Sequence, residues 1–371
     1  MPTLSGRIAR ADGSIILGRI NFGETISSIE ESNGASSDFI LPGLIDLQVN
    51  GSHGIDVMTA SVDGLLEISE KLALEGVSAW LPTAVTSPIE QVEKVHRAIG
   101  DAIEHQKNDR VPGAKILGMH LEGPFISPLR LGAHPKLNLE PRGAEFERVM
   151  TLEHLNVITL APELPGAIDA IRRLTSRGVV VSIGHTNATF EQATDGIEAG
   201  ATMFTHLFNA MRQMSHRDPG VIAAALTSSK ATPAVVPDGI HVRPEILRII
   251  YVARGAGGMM ITTDKVSLAG TAPDAALKVG REHAQIVDRA ARLPDGTLAG
   301  AIITMLDGIR LMTGKVGASV GEASMMAAVN PASMLGYKDR GRLQPGAVSD
   351  IIVLSAALEL KSIFIAGREI K

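Results

Sequence analysis

The chain has 371 residues and no cysteine. That absence excludes disulfides and thiolate metal sites, so any bound metal must be held by nitrogen and oxygen ligands, and a reducing compartment is compatible. Also missing is an uncharged apolar run of the roughly 18 to 20 residues that a bilayer-spanning helix requires. Met1 to Ile20 alternates charged and apolar residues instead of joining a basic start to an apolar stretch, which reads as no signal peptide. No Lys/Arg cluster exceeds a dipeptide and the formal net charge is −5, a balance that argues against a nucleic-acid or anionic-membrane surface. The expectation is a cytoplasmic protein whose partners are small molecules.

What is present is enough apolar residue, 45%, to bury a large core in a chain longer than a usual single domain. From Leu41 onward, short Val- and Ile-rich runs alternate with segments of helical period, the signature of βα units around a parallel sheet. Eight such runs fall near 43–49, 77–85, 115–121, 155–160, 179–184, 201–205, 233–237 and 258–263, with helices such as 62–75, 89–105, 167–177 and 244–256 between them. Eight units of this spacing predict an α/β fold, a (β/α)₈ TIM-like barrel. The first 40 residues and the last 30 or so are strand-like pieces broken by Gly, Pro and Asn, and predict a small β-sandwich domain assembled from both ends. The expected division is 1–41 and 343–371 for the β-domain and 42–342 for the barrel.

Barrel enzymes carry their chemistry at the carboxyl ends of the strands. There the sequence offers Glu122 after the third run, His185 after the fifth, His206 after the sixth and Asp264 after the eighth. One carboxylate and two imidazoles form the three-ligand set of a catalytic zinc-type site that leaves a position for water. Asp264 is then free to move protons between that water and a leaving nitrogen. His120 lies two residues before Glu122 on the same strand face and is a rival ligand. His53, His96, His105, His154 and His283 read as solvated, while His216 sits beside Arg217 in a loop that could carry function. Gln48 and Asn50 stand on the first strand where many metal hydrolases have two histidines. Neutral amides bind zinc-type ions poorly, which argues for one metal over two.

These residues lie within longer motifs: Pro-Gly-Leu-Ile-Asp-Leu-Gln-Val-Asn-Gly at 42–51, His-Leu-Glu-Gly-Pro-Phe at 120–125, Gly-Ala-His at 132–134, Ala-Pro-Glu at 161–163, Gly-His-Thr-Asn-Ala-Thr at 184–189, Thr-His-Leu-Phe-Asn-Ala-Met at 205–211, Asp-Gly-Ile-His-Val at 238–242 and Asp-Gly-Thr-Leu-Ala-Gly at 295–300. In this order, over nearly the whole chain, the pattern resembles the N-acetylglucosamine-6-phosphate deacetylases of the amidohydrolase superfamily. The resemblance implies a barrel with a β-sandwich from both termini, a homodimer, and metal-dependent hydrolysis of an N-acetyl amino-sugar phosphate to the amine and acetate in amino-sugar catabolism or cell-wall recycling. By matching motif it implies Glu122, His185 and His206 as holders of one divalent ion per subunit, zinc first, with Fe²⁺, Co²⁺ or Mn²⁺ as alternatives. Asp264 would be the general acid/base, which demotes His120. His134 and His241 would contact substrate, Asn209 and Ala210 would touch the sugar phosphate, and Arg217 would reach the phosphate in the neighbouring subunit.

Lys265, Ala301 and Pro237 depart from the family pattern, in loops expected to line the substrate pocket. The alternatives are a sister deacetylase acting on N-acetylgalactosamine 6-phosphate, an amidohydrolase acting on an unphosphorylated acyl-amine, and a barrel that has lost catalysis and only binds. The last of these expects a damaged metal set, whereas all four chemical groups are present.

Overall fold

The computed structural model describes residues 2–32, 36–108, 113–280 and 282–370. Its centre is a run of eight parallel strands hydrogen-bonded in chain order: Leu44–Val49, Val77–Val85, Met119–Glu122, Leu155–Leu160, Val180–Ile183, Met203–Phe204, Thr232–Val235 and Met260–Ile261. These are the eight predicted runs, with one difference. The third divides into Lys115–Ile116, paired with the second strand, and Met119–Glu122, paired with both neighbours. Each strand is buried on both faces, as a sheet wrapped by helices requires, so it reads as a continuous apolar run.

The four predicted helices appear as Val62–Leu74, Ile89–Asn108, Ala167–Ser176 and Pro244–Arg254. Ser61 accepts the Gly64 N–H at 3.1 Å and caps the first, and Pro244 opens the last. Closure of the barrel between its first and eighth strands is largely polar. Beyond Ile261 the backbone of Lys265 bridges to Val49, and the buried Asp46 carboxylate accepts hydrogen bonds from the hydroxyls of Thr262 and Thr263. Burial nevertheless pushes the Asp46 carboxyl above its ordinary pKa.

The termini form a separate seven-stranded sheet, in the order Arg368–Ile370, Leu360–Ile365, Ile351–Leu354, Phe39–Pro42, Thr3–Ala9, Ile15–Phe22 and Ile26–Glu31. The two ends of the chain meet where Phe39–Pro42 pairs antiparallel with Ile351–Leu354. Ile8, Ile20, Phe22, Ile26, Ile40, Leu343, Ala347 and Ile351 pack as this sheet's own core. No helix among the described residues is long and apolar enough to cross a membrane.

One element was not anticipated. After the eighth strand, Ala276–Val279, Glu282–Val287 and Ala290–Arg292 make a three-stranded antiparallel sheet, with Val266, Leu268, Val279, Ala284, Ala291, Leu293 and Ala299 packed together behind it. Its turn presses on the loop after the third barrel strand: Gly280 has φ 59°, and a Cβ there would lie 2.4 Å from the Ala133 carbonyl oxygen. A side chain at position 280 would lift this sheet off the barrel mouth.

Candidate active site

A cavity of about 320 Å³ opens at the carboxyl ends of the strands, walled by Glu122, His134, His185, His206, Asn209, Ala210, His241 and Asp264 and roofed in part by Val279 and Gly280. Of the residues proposed from the sequence to hold metal, move protons or touch substrate, all face it except Arg217, which is exposed in the loop after the sixth strand with its Nε 3.1 Å from the neighbouring His216 ring nitrogen. Among the described residues ten non-glycine positions have positive φ, and five of them, His185, His206, Phe208, Ala210 and Asp264, are in this cavity wall. Backbone strain of this kind persists only where surrounding structure over-determines it.

Glu122 ends the third strand, and His185 and His206 stand two residues beyond the fifth and sixth. Gly184 lets those two strands approach, since a Cβ there would lie 2.7 Å from the Thr205 Cβ. Four residues on, Thr189 and Gln192 form a reciprocal capping box that starts the helix Phe190–Glu198 and limits the length of the His185 loop. Glu163 fastens the same loop by accepting the Thr186 hydroxyl at 2.5 Å and the Asn187 N–H at 2.6 Å.

The result is a convergence of donor atoms. Nε2 of His185 and Nε2 of His206 are 3.1 Å apart, and they lie 3.2 and 2.9 Å from Oε1 of Glu122. Among the described residues these three are the one group of side chains arranged to hold a metal ion. Ligand atoms bonded at about 2.0–2.2 Å in a tetrahedron stand roughly 3.3–3.6 Å from each other, so the set is within a few tenths of an ångström of zinc-type geometry. The tautomer fits as well. Nδ1 of His185 is 2.9 Å from the Arg130 carbonyl, to which it can only donate, so the neutral ring presents a bare Nε2 lone pair to the cluster. Burial pushes the His185 pKa down to about 4, which keeps that ring neutral. Burial alone would raise Glu122, but the imidazoles of His134, His185 and His206 draw it well below the usual carboxylate range.

Asp264 faces this cluster from three residues beyond the eighth strand. Its Oδ1 accepts from Asn50 Nδ2 at 2.7 Å and Gln48 Nε2 at 3.0 Å, and Gln48 also donates to Glu122 Oε1 at 3.1 Å. Burial, with the Glu122 charge nearby, pushes the Asp264 carboxyl up to about 6. Gln48 therefore joins the two carboxylates rather than lying idle. His134, 6% exposed, places Nε2 3.7 Å from Glu122 Oε2, with Nδ1 against Thr86. His241 is held at Nδ1 by Asp238 Oδ2 at 2.6 Å. Asn209 turns back to the His206 carbonyl at 3.1 Å.

His120, the rival ligand, lies outside the cluster. Both its nitrogens are engaged, Nδ1 with the Leu47 carbonyl at 3.1 Å and Nε2 with the Thr159 hydroxyl at 2.8 Å, in a buried polar belt that continues through Thr205 to Ser182. His105 and His283 are exposed, whereas His53, His96 and His154 are partly buried, the last two with ring centres 5.5 Å apart. Lys265, Ala301 and Pro237 are not in the cavity wall either; the Lys265 side chain is 1% exposed and pairs with Glu75. The sequence reading missed the supporting residues Asp238, Glu163 and Thr86. The first two sit inside motifs quoted above, but only the fold shows what they hold.

The amidohydrolase family model matches residues 39–370. An N-acetylglucosamine-6-phosphate deacetylase from Danio rerio is 39% identical over 89% of this chain and 84% of its own length. An N-acetylgalactosamine-6-phosphate deacetylase from Escherichia coli O157:H7 is 34% identical over 90% of this chain and 88% of its own. Among solved structures, a mutant N-acetyl-D-glucosamine-6-phosphate deacetylase from Mycobacterium smegmatis, in complex with N-acetyl-D-glucosamine-6-phosphate, superposes with a TM-score of 0.91 at 29% identity, covering 99% of this chain and 98% of that one. With the barrel, the carboxylate–imidazole cluster and the terminal sheet in place, these matches show that the chain belongs to the amidohydrolase family and, within it, to the N-acetylglucosamine-6-phosphate deacetylases.

Proposed function

We propose that this chain hydrolyses the acetamide of N-acetyl-D-glucosamine 6-phosphate to D-glucosamine 6-phosphate and acetate, with one divalent ion per chain held by Glu122, His185 and His206. The observation that carries the reading is the convergence of those three donors opposite an Asp264 that two amides hold in place. Zinc suits two imidazoles and a carboxylate, and Fe²⁺, Co²⁺ and Mn²⁺ suit them too. When bound, the ion supplies Lewis acidity, making hydroxide available near neutral pH and polarising the acetamide carbonyl.

The chain's own groups do the rest. Asp264 takes a proton from the attacking water and returns it to the leaving nitrogen, a double task that suits a carboxyl pushed up to about 6. Gln48 and Asn50 hold its acceptor oxygen so that one orientation is kept through both transfers. With the proton of His134 on Nε2, Nδ1 accepts from the Thr86 N–H at 3.4 Å and an N–H donor faces the cavity, where an oxyanion develops. His241, oriented by Asp238, presents its other nitrogen to a sugar hydroxyl. Asn209 and Ala210 lie along the wall on which the sugar phosphate rests.

The same reading makes 42–342 the catalytic barrel and 1–41 with 343–371 a β-domain, in a cytoplasmic homodimer. Leu129 and Leu137 in the loop after the third strand, and Met214 three residues before Arg217, are exposed by 72, 46 and 47% and support a partner covering these loops. Arg217 then reaches the partner's phosphate through the planar fork that guanidinium offers. Arg217→Ala is expected to raise KM about 10- to 100-fold for phosphorylated substrate and to leave unphosphorylated N-acetylglucosamine unchanged. Equal effects on both sugars would remove the phosphate contact.

Likeness to the Escherichia coli relative keeps the galactosamine epimer as the second reading. Acetate release from both phosphorylated epimers and from unphosphorylated N-acetylglucosamine, by metal-loaded and chelated protein, decides between them. Chelator-sensitive turnover favouring the glucosamine phosphate is expected. Preference for the galactosamine phosphate would transfer the assignment to that sugar, and no release from any of the three would overturn the substrate reading.

A further inference from the structure

We propose that Lys265 and Glu75 are positioning residues for Asp264, an inference that rests on Asp264 acting as the proton carrier above. Asp264 and Lys265 are adjacent but face opposite ways. Asp264 lines the cavity, while the Lys265 side chain is 1% exposed and runs outside the barrel strands to Glu75, which caps the C-terminus of the helix Val62–Leu74. A buried ammonium has very few tolerable positions away from a counter-charge. Its pairing with Glu75 therefore fixes where residue 265 sits relative to the first barrel helix.

That constraint matters because Asp264 has φ 51°, a conformation most L-residues leave when released. Both flanks are tied down. On the N-terminal side Thr263 donates to Asp46. On the C-terminal side the Lys265 N–H donates to the Thr263 hydroxyl at 3.1 Å, and its carbonyl accepts from Asn50 at 2.7 Å and Gly51 at 3.2 Å. Those last bonds register the segment that also carries Gln48 and Asn50, the two amides on the Asp264 carboxylate. The ion pair thus anchors, from outside the barrel, the backbone on which both Asp264 and its hydrogen-bond donors are set. A buried pair is weak evidence of a gain in stability over apolar residues of the same size, so geometry is the better account of why charge is kept there.

The test compares Lys265→Met, Glu75→Gln and the double variant Lys265→Met/Glu75→Leu with the parent and with Asp264→Asn, reading kcat, KM for N-acetylglucosamine 6-phosphate, bound metal and the thermal midpoint. Lys265→Met is expected to lower kcat about 10- to 100-fold, the cost of misplacing a reacting group, with KM within about twofold and full metal content. Glu75→Gln, which keeps an acceptor, should show a smaller loss of the same kind and carries the test if Lys265→Met does not fold. In the double variant no charge is left unpaired, so the thermal midpoint should recover while kcat stays low. Recovery of kcat together with stability would reduce the pair to a folding role and overturn the proposal, as would parental kcat in Lys265→Met or a loss of kcat matched by lost metal. Failure of the underlying reading is separately visible, because Asp264→Asn would then remain active.

Discussion

Asp264→Asn is expected to lose about 10²- to 10⁴-fold in kcat while keeping its metal and most of its affinity for substrate. The substitution preserves the shape of the side chain and an oxygen that can still accept from Gln48 and Asn50, so the amide bridge across the first and eighth strands survives. What it removes is the ability to bind a proton and give it back. None of the three cluster donors belongs to residue 264, so metal content should match the parent. Steady-state kinetics beside metal analysis checks this, and a variant with near-parental turnover would take Asp264 out of the mechanism.

His206→Ala should act on the other half of the site. Its Nε2 is the closest nitrogen to Glu122 Oε1, at 2.9 Å, and without it two donors remain where three converged. Metal is expected to be lost on gel filtration, and activity to fall roughly 10³-fold or more because several kcal/mol of charge stabilisation go with it. Chelation should lower the thermal midpoint of the parent, since an ion bound only by the folded state stabilises it, and should leave His206→Ala unmoved. A variant that retains stoichiometric metal would show the ligand set to be wrong.

The parts of this molecule legible in the sequence are those set by local pattern. Fully buried parallel strands announce themselves as apolar runs between helical periods, and the strand ends then place Glu122, His185, His206 and Asp264 on one rim. The sheet of residues 276–292 escaped because its strands are only four, six and three residues long and carry Lys278, Glu282, His283 and Gln285 among few buried positions. The support around the site escaped for a different reason. Gln48 meets Asp264 across 216 residues of sequence, and its amide says nothing on its own about which carboxylate it will find. Its presence spoke only against a second metal, whereas in the fold it also joins the carboxylate of the metal cluster to the proposed proton carrier. His120 is the converse case: the strand face was read correctly, but both ring nitrogens were already committed to the barrel interior.

The pairing of Phe39–Pro42 with Ile351–Leu354 has a consequence for the order in which the chain can finish. During synthesis the strand that leads straight into Leu44–Val49 can pair with Thr3–Ala9 at once, but its other edge stays open until some three hundred further residues have been made. An apolar edge exposed for that long is a template for the wrong neighbour. A ribosome that stops before Ile351 would release a barrel whose first strand, bearing Gln48 and Asn50, hangs from an unfinished sheet. Such shortened chains should collect as aggregates rather than as weakly active enzyme.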